Sequence, residues 1–329
     1  MTLPAQASKI AEDIRSMRVR GARLIARSAV EALQIVARNS SAGDITTFVA
    51  ELASAARFLL QTRPTAVSLP NGIRFVMHRV NRAKEGGASL ETIRATAVKA
   101  AQEFIDNTDT AIQRIGEIGA RRIRDGDVLL THCNSSAVIS IMKTAWNQGT
   151  KFEVYVTETR PRFQGRITAK ALAGIGIPVT LILDDAVRYF MHDVDKVLVG
   201  ADAVTANGAL VNKIGTSLLA LAAHEANVRV FAAAETYKFS PETMIGELVT
   251  VEERDPSEVI SSHELRPLGA VRVRNPSFDV TPPEFIDLII TEQGIIPPLG
   301  AMLILEDILG VITPEELQEY QTKTLQEQD

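Results

Sequence analysis

One cysteine, Cys133, stands alone in a chain of 329 residues. A single thiol cannot close an intrachain disulfide, so the natural home of the protein is a reducing cytoplasm. Long apolar runs are also missing. The longest, Ala171 to Leu183, is short and is interrupted by Gly174, Gly176 and Pro178, which excludes a membrane span. The opening residues MTLPAQASKIAEDIRSMRVRG lack a continuous apolar core and do not read as a secretory signal. There is no excess of positive charge. The net charge of −5 argues against general binding to nucleic acid or to acidic membranes, although a local basic pocket can still take a small anion. Histidines are few. His78, His192, His224 and His263 are scattered without ligand spacing, and no metal site is expected. No internal repeat, low-complexity segment or G-x-G-x-x-G turn is present. Gly174-Ile175-Gly176 lies at a helix end before a strand and reads as a helix stop.

What is present fits a globular protein with a large core. Hydrophobic residues make up 46% and charged residues 23%, and the length suggests roughly two domains. The two halves have different patterns. Up to about residue 120 the apolar residues recur at helical spacing. Leu24 to Val36, Ile45 to Leu60 and a long stretch from about Ser89 to Ile118 carry the pattern, with Ser89 as a plausible N-cap. Pro64, Pro70 with Asn71, and Gly86-Gly87 punctuate these helices. Beyond about residue 123, short β-rich runs alternate with helical ones. The runs are Asp127–Cys133, Phe152–Thr157, Val179–Asp184, Lys196–Ala201, Val228–Ala233 and a weaker Val271–Val273. Between them lie Ala137–Gln148, Arg166–Gly174 and Lys213–Ala226. Strand, helix, strand implies right-handed crossovers and a parallel sheet. The expected architecture is α/β, with an N-terminal all-helical domain over 1–120 and a C-terminal Rossmann-like domain with a mainly parallel sheet over 121–329.

In such sheets ligands bind beyond the carboxyl ends of the strands. The residues there are chemically rich: Thr131 to Ser136, Thr157 to Arg162, Asp184-Asp185, Asp202, and Glu235 to Lys238. Each has a bland alternative. Cys133 is either a small buried hydrophobe or, just before a helix N-terminus, a thiol of lowered pKa. Asn134, Ser135 and Ser136 cap a helix, cradle a phosphate, or do both. Asp202 caps a turn or, partly desolvated between Ala201 and Ala203, shuttles a proton. Asn212-Lys213 reads as the start of the next helix, and Lys213 as a surface lysine or a ligand. Lys238 and Arg160 are rim charges or anion contacts. Arg20-Gly21-Ala22-Arg23 and Arg63-Pro64 read as turns with surface arginines. His132 adjoins the thiol but points to the opposite face of an extended strand, so the two are not paired.

Longer motifs narrow these choices. MRVRGA at 17–22, TRPTAV at 62–67, THCNSS at 131–136, VYVTETRPRFQGR at 154–166, VLVGADAVTANGALVNKIGT at 197–216, AAAETYKF at 232–239 and NPSFDVTPPEFIDLIITEQG at 275–294 resemble the sugar-phosphate isomerases related to the α, β and δ subunits of translation initiation factor 2B. The resemblance covers nearly the whole chain. Within the superfamily it looks most similar to the archaeal ribose-1,5-bisphosphate isomerases. Non-catalytic regulatory subunits commonly lack the Cys–Asp pair that Cys133 and Asp202 match. Methylthioribose-1-phosphate isomerases typically continue the first motif as RGAP. Here position 23 is Arg, which suits a second phosphate. The alternatives to a bisphosphate isomerase are thus a regulatory subunit and a methylthioribose-1-phosphate isomerase.

The resemblance implies conversion of α-D-ribose 1,5-bisphosphate to D-ribulose 1,5-bisphosphate, in nucleotide breakdown that feeds carbon to RuBisCO. It implies that Cys133 abstracts a proton and Asp202 donates one. It places Ser135, Ser136 and Ala137 at one phosphate and Asn212 and Lys213 at sugar oxygens. Arg20, Gly21, Ala22, Arg23, Arg63 and Lys238 complete the bisphosphate pocket. No redox cofactor or metal is required, and AMP is implied as an activator. The family forms dimers, and the bisphosphate isomerases assemble into hexamers as trimers of dimers. The acidic segment Ser240–His263 reads as a lid, an interface loop or a solvated connection. Thr313-Pro314-Glu315-Glu316 reads as the start of a final peripheral helix.

Overall fold

The computed structural model describes residues 3–19, 21–63, 68–240 and 251–309. The chain divides into two compact units, Met1–Ala111 and Ile112–Asp329. The first holds helices α1 (Ala5–Arg15), α2 (Ala22–Asn39), α3 (Ile45–Leu60), α4 (Ser68–Glu85) and the first two-thirds of α5 (Leu90–Ala120). Their starts follow from local chemistry. Asp44 accepts the Thr47 N–H at 2.9 Å and caps α3, and Ser89 accepts the Thr92 N–H at 3.2 Å and opens α5. Leu33, Phe48, Leu52, Leu69, Val76, Ile93 and Phe104 form the buried faces. Pro70, expected to interrupt, instead lies in the first turn of α4. There a helix N–H has no intrahelical acceptor, so the missing donor costs little.

The second unit is built on β1 (Val128–Thr131), α6 (Ser136–Asn147), β2 (Glu153–Thr157), α7 (Gln164–Ala173), β3 (Val179–Ile182), α8 (Val187–Phe190), β4 (Lys196–Gly200), β5 (Ala203–Thr205), β6 (Leu210–Lys213), α9 (Thr216–Glu225), β7 (Arg229–Ala233), β8 (Phe239–Ser240), α10 (Ser262–Leu265), β9 (Phe278–Thr281), β10 (Leu288–Thr291), β11 (Gly294–Ile296) and α11 (Ala301–Leu309). Seven strands form one sheet in the order β11-β10-β7-β4-β1-β2-β3. Every pairing in it is parallel except β10 with β11. Side chains alternate between two covered faces. Leu129, Leu198, Phe231 and Ile290 pack with Val138, Ile141 and Met142 of α6. Leu130, Val197, Val199, Val230 and Ile289 pack with Leu219, Ala220 and Ala223 of α9. A second sheet, β8-β5-β6-β9, stands beside it.

Two expectations need correction. Val271–Val273 is not a strand. The sixth parallel strand is β10, paired with β7 through Leu288–Phe231 and Ile289–Ala232. Asn212-Lys213 does not begin a helix: both residues end β6, paired with Asp279 and Phe278 of β9. The helix starts only at Thr216, after Gly215 has turned the chain with φ of 102°. Of the 240–263 segment, residues 241–250 lie outside the described residues. The described remainder is tied down, with Arg160 donating to the Val259 carbonyl at 3.0 Å and Arg162 paired with Glu258 at 3.0 Å. The final helix read from Thr313 also lies outside the described residues. Among the described residues, no helix is long and apolar enough to cross a membrane.

Candidate active site

The order β3-β2-β1-β4-β7-β10 reverses direction between β1 and β4. That is the switch point, where adjacent strand ends splay and a crevice opens. Cys133 lies two residues beyond β1, and Asp202 two residues beyond β4. The strands are direct neighbours, with Leu129 opposite Lys196 and Leu130 opposite Val197. The fold therefore brings the two residues to one rim. The charges of Asp202, Lys213 and Asp184 all act on the thiol.

The backbone of Cys133 is held by neutral hydroxyls. Cys133 adopts φ of 68°, a left-handed conformation uncommon outside glycine. Its N–H donates to Thr159 Oγ1 at 2.9 Å, and its carbonyl accepts from Thr168 Oγ1 at 2.8 Å. Thr159 is itself fixed by Asp184, which accepts its N–H at 2.7 Å. The expected lowering of the thiol pKa does not occur. Burial, reinforced by the Asp202 charge, pushes it up to about 11, against the opposing pull of the Asn134 N–H and Lys213. Helix α6 begins at Ser136, with Ser135 as its N-cap, so the thiol precedes the cap. Ser135 Oγ accepts the Val138 N–H at 3.4 Å. The N–H groups of Ser136 and Ala137, in the first turn, have no intrahelical acceptor. Gly200, at the end of β4, lies against this cap. A Cβ there would stand 2.6 Å from Ser135 Cβ and 2.6 Å from its Oγ.

Charges hold the other side. Asp202 is half-buried, and its N–H donates to the Val211 carbonyl at 2.9 Å. The preceding carbonyl, of Ala201, accepts from Lys238 Nζ at 2.8 Å. Lys238 is only 7% exposed and pairs with Glu235 at 2.6 Å. It is therefore a buried strut beneath Asp202 and not a solvated rim charge. Glu235, 1% exposed, also accepts from Tyr237 Oη at 3.0 Å. Asn212 is buried and donates to Thr216 Oγ1 at 3.0 Å. Lys213 donates to the Ser277 carbonyl at 2.8 Å and lies over the Phe278 ring. Asp279 Oδ2 accepts the N–H groups of Gly215 at 2.7 Å and Ser217 at 3.1 Å, capping α9. Burial raises its carboxyl to about 6.

In the helical unit, Gly21 is the N-cap of α2, with φ of 83° and no side-chain cap bond. Ala22 and Arg23 form the first turn. Ser68 donates to the Ala22 carbonyl at 2.8 Å, Arg23 pairs with Asp109 at 3.0 Å, and Arg63 donates to Met17 Sδ. Arg20 lies outside the described residues. Sequence reasoning gave His132, Asp279 and Glu235 no role in the site. The partners of His132 and Asp279 are remote in the chain, whereas Glu235 pairs with Lys238 only one turn away. Among the described residues, no group of three or more His, Cys, Asp or Glu side chains is placed to hold a metal ion.

A doubly wound sheet with a thiol and a carboxylate at its switch point defines a small-molecule site equipped for proton transfer. The chain belongs to the initiation factor 2 subunit family, whose model matches residues 18–298. It is 55% identical over 311 residues to a ribose 1,5-bisphosphate isomerase of Thermococcus kodakarensis, covering 94% of this chain and 97% of that one. Among solved structures it is similar to translation initiation factor eIF-2B of Pyrococcus horikoshii, with a TM-score of 0.74, 33% identity, and 90% and 98% of the two chains covered. It is also similar to the 5-methylthioribose 1-phosphate isomerase of the same organism, with a TM-score of 0.71, 31% identity, and 93% and 88% covered.

Proposed function

We infer that the chain is an isomerase that converts α-D-ribose 1,5-bisphosphate to D-ribulose 1,5-bisphosphate. The observation that carries the reading is the pair Cys133 and Asp202 at the switch point, in a chain so similar over 94% of its length to a relative of that name. The chemistry explains why two such groups are needed. The C1 oxygen of the sugar is esterified, so the ring cannot open by simple hemiacetal exchange. An acid must protonate the ring oxygen as its bond to C1 breaks. A base must take the C2 proton, and C1 must gain one. The intermediate is a phosphoenolate.

In this reading Cys133 is the base and Asp202 the acid, roles that rest on the family resemblance. With a pKa near 11 the resting thiol is protonated at neutral pH. Cys133 must lose that proton, and Asp202 must carry one, before ring opening begins. Ser135, Ser136 and Ala137 offer N–H groups to one phosphate. Asn212 and Lys213 face sugar oxygens and stabilise developing negative charge. Gly21, Ala22, Arg23 and Arg63, with Arg20, serve the bisphosphate. Arg23 must then share its guanidinium with Asp109. Lys238 contributes charge from below while holding the peptide before Asp202.

AMP as an activator, a cytoplasmic setting and a homo-oligomer reaching a hexamer complete the proposal, on the same resemblance. The test is an NMR time course of the purified protein with α-D-ribose 1,5-bisphosphate, with and without AMP. Formation of ribulose 1,5-bisphosphate is the expected result. Tight binding without turnover would make the same rim a sensor. Equal turnover of a 5-methylthio substrate would remove the need for a second phosphate.

A further inference from the structure

We propose that His132 is a positioning residue whose imidazole clamps the Cys133 end of β1 to the Ile214 carbonyl, so that the thiol and Lys213 meet one substrate in a fixed geometry. The inference rests on the isomerase reading above. The ring is 3% exposed. Its Nε2 lies 2.9 Å from the Ile214 carbonyl and its Nδ1 lies 2.6 Å from Thr157 Oγ1. A carbonyl can only accept, so Nε2 carries the proton and Nδ1 accepts from the Thr157 hydroxyl. Both nitrogens are thus engaged, and neither is free to take a proton from the substrate. Burial holds the ring in its neutral form, outweighing the Asp184 charge.

The neighbours make the clamp specific. Gly215, next to Ile214, turns with φ of 102°, and a Cβ there would stand 3.1 Å from His132 Cε1 and 3.2 Å from Nε2. Only glycine both adopts this turn readily and lets the ring lie so close. From its other side the same turn is held by Asp279, which accepts the Gly215 N–H at 2.7 Å. Ile214 follows Lys213 directly, and His132 precedes Cys133 directly. The Thr157 hydroxyl on the ring lies 3.4 Å from Thr159 Oγ1, the atom that accepts the Cys133 N–H. One side chain therefore joins the ends of β1, β2 and β6.

The test compares His132→Asn, His132→Gln and Thr157→Val with the parent. Asn is too short to reach the Ile214 carbonyl, whereas the Gln amide N–H reaches it as Nε2 does. His132→Asn should lower kcat about 100-fold with KM nearly unchanged, as expected when reacting groups are misplaced by about an ångström. His132→Gln should recover about tenfold of that, and Thr157→Val should fall between. A second readout needs no turnover: the rate of Cys133 alkylation by iodoacetamide at a fixed, mildly alkaline pH. It should change severalfold in His132→Asn and return toward the parent in His132→Gln. Unchanged kcat in a folded His132→Asn, a loss confined to KM, or no recovery with Gln would overturn the proposal. If His132→Asn does not fold, Thr157→Val decides: parental kcat and alkylation there would overturn it. A parent without isomerase turnover would count against the functional reading, and the alkylation comparison would then decide the clamp by itself.

Discussion

Around Cys133 the holding groups are hydroxyls and a neutral imidazole: Thr157, Thr159, Thr168 and His132. Around Asp202 they are charges: Lys238 on Glu235 beneath it, and Lys213 beside Asp279 on the neighbouring strands. The contrast gives Cys133 and Asp202, in one crevice, two different electrostatic settings. Neutral walls leave the thiol poorly solvated, which raises its pKa. On the other side the Lys238–Glu235 ion pair fixes the peptide before Asp202.

The sharpest way to break the comparison is to remove the two groups proposed to react. Cys133→Ser should reduce turnover by about 10³- to 10⁴-fold, because a hydroxyl ionises far less readily than a thiol; Asp202→Asn should cost about 10²- to 10³-fold. Circular dichroism should show both variants folded. Near-parental turnover in either would reassign that side of the crevice. The two sides are also linked electrostatically. The alkylation rate of Cys133 should rise with pH toward a midpoint near 11. Asp202→Asn should move that midpoint down and Lys213→Ala should move it up, since the first removes a negative charge and the second a positive one. A midpoint indifferent to both would mean that burial alone sets the thiol.

Next in size are effects on folding, and here the sides should differ. Glu235→Gln leaves the Lys238 ammonium buried without its anion, a loss of about 3–5 kcal/mol in urea unfolding. Thr159→Val leaves the Cys133 N–H without its acceptor, at about 1–3 kcal/mol. Similar losses would erase the distinction between charged and neutral support. Gly200→Ala should also cost about 1–3 kcal/mol, because its Cβ meets Ser135 across the switch point and one of them must shift.

The first five parallel strands, with α6, α7 and the body of α9, were legible because strand and helix periods survive in any single stretch of sequence, whereas the four-residue α8 was not. The bounds of α3, Ile45–Leu60, follow from apolar spacing alone. The strands of the second sheet were not. β5, β6 and β9 stand outside the strand–helix–strand alternation, and β9, the partner of β6, is remote in the chain. This is why Lys213 read as the start of a helix. The rim residues were legible through the rule that strand ends carry ligands, but their electrostatics were not. A helix N-terminus is a local feature that predicts an acidic thiol, whereas burial comes from the whole fold and wins. His132 shows the same limit. Strand alternation turns its ring away from the thiol, yet the ring meets a carbonyl 82 residues further along the chain, which no local pattern reveals.

The smallest predicted effect sets one buried group from each side against the other in the pH dependence of stability. Asp279, on the charged side, has its carboxyl raised from 3.8 to about 6. Between those values the folded state binds the proton more tightly than the unfolded state. Its contribution to stability is therefore present at low pH and is lost as pH rises through 6, by of order 2 kcal/mol. His132, on the neutral side, has its pKa lowered by burial. Below 6.5 the unfolded chain takes up a proton that the folded imidazole refuses, so its contribution falls as pH falls. In the parent the two slopes oppose each other between about pH 4 and 6.5. Asp279→Asn removes one of them and should leave stability rising more steeply with pH across that window, as read by urea midpoints at closely spaced pH values. Parallel profiles for parent and variant would mean that Asp279 titrates alike in both states and that its buried oxygen imposes no cost.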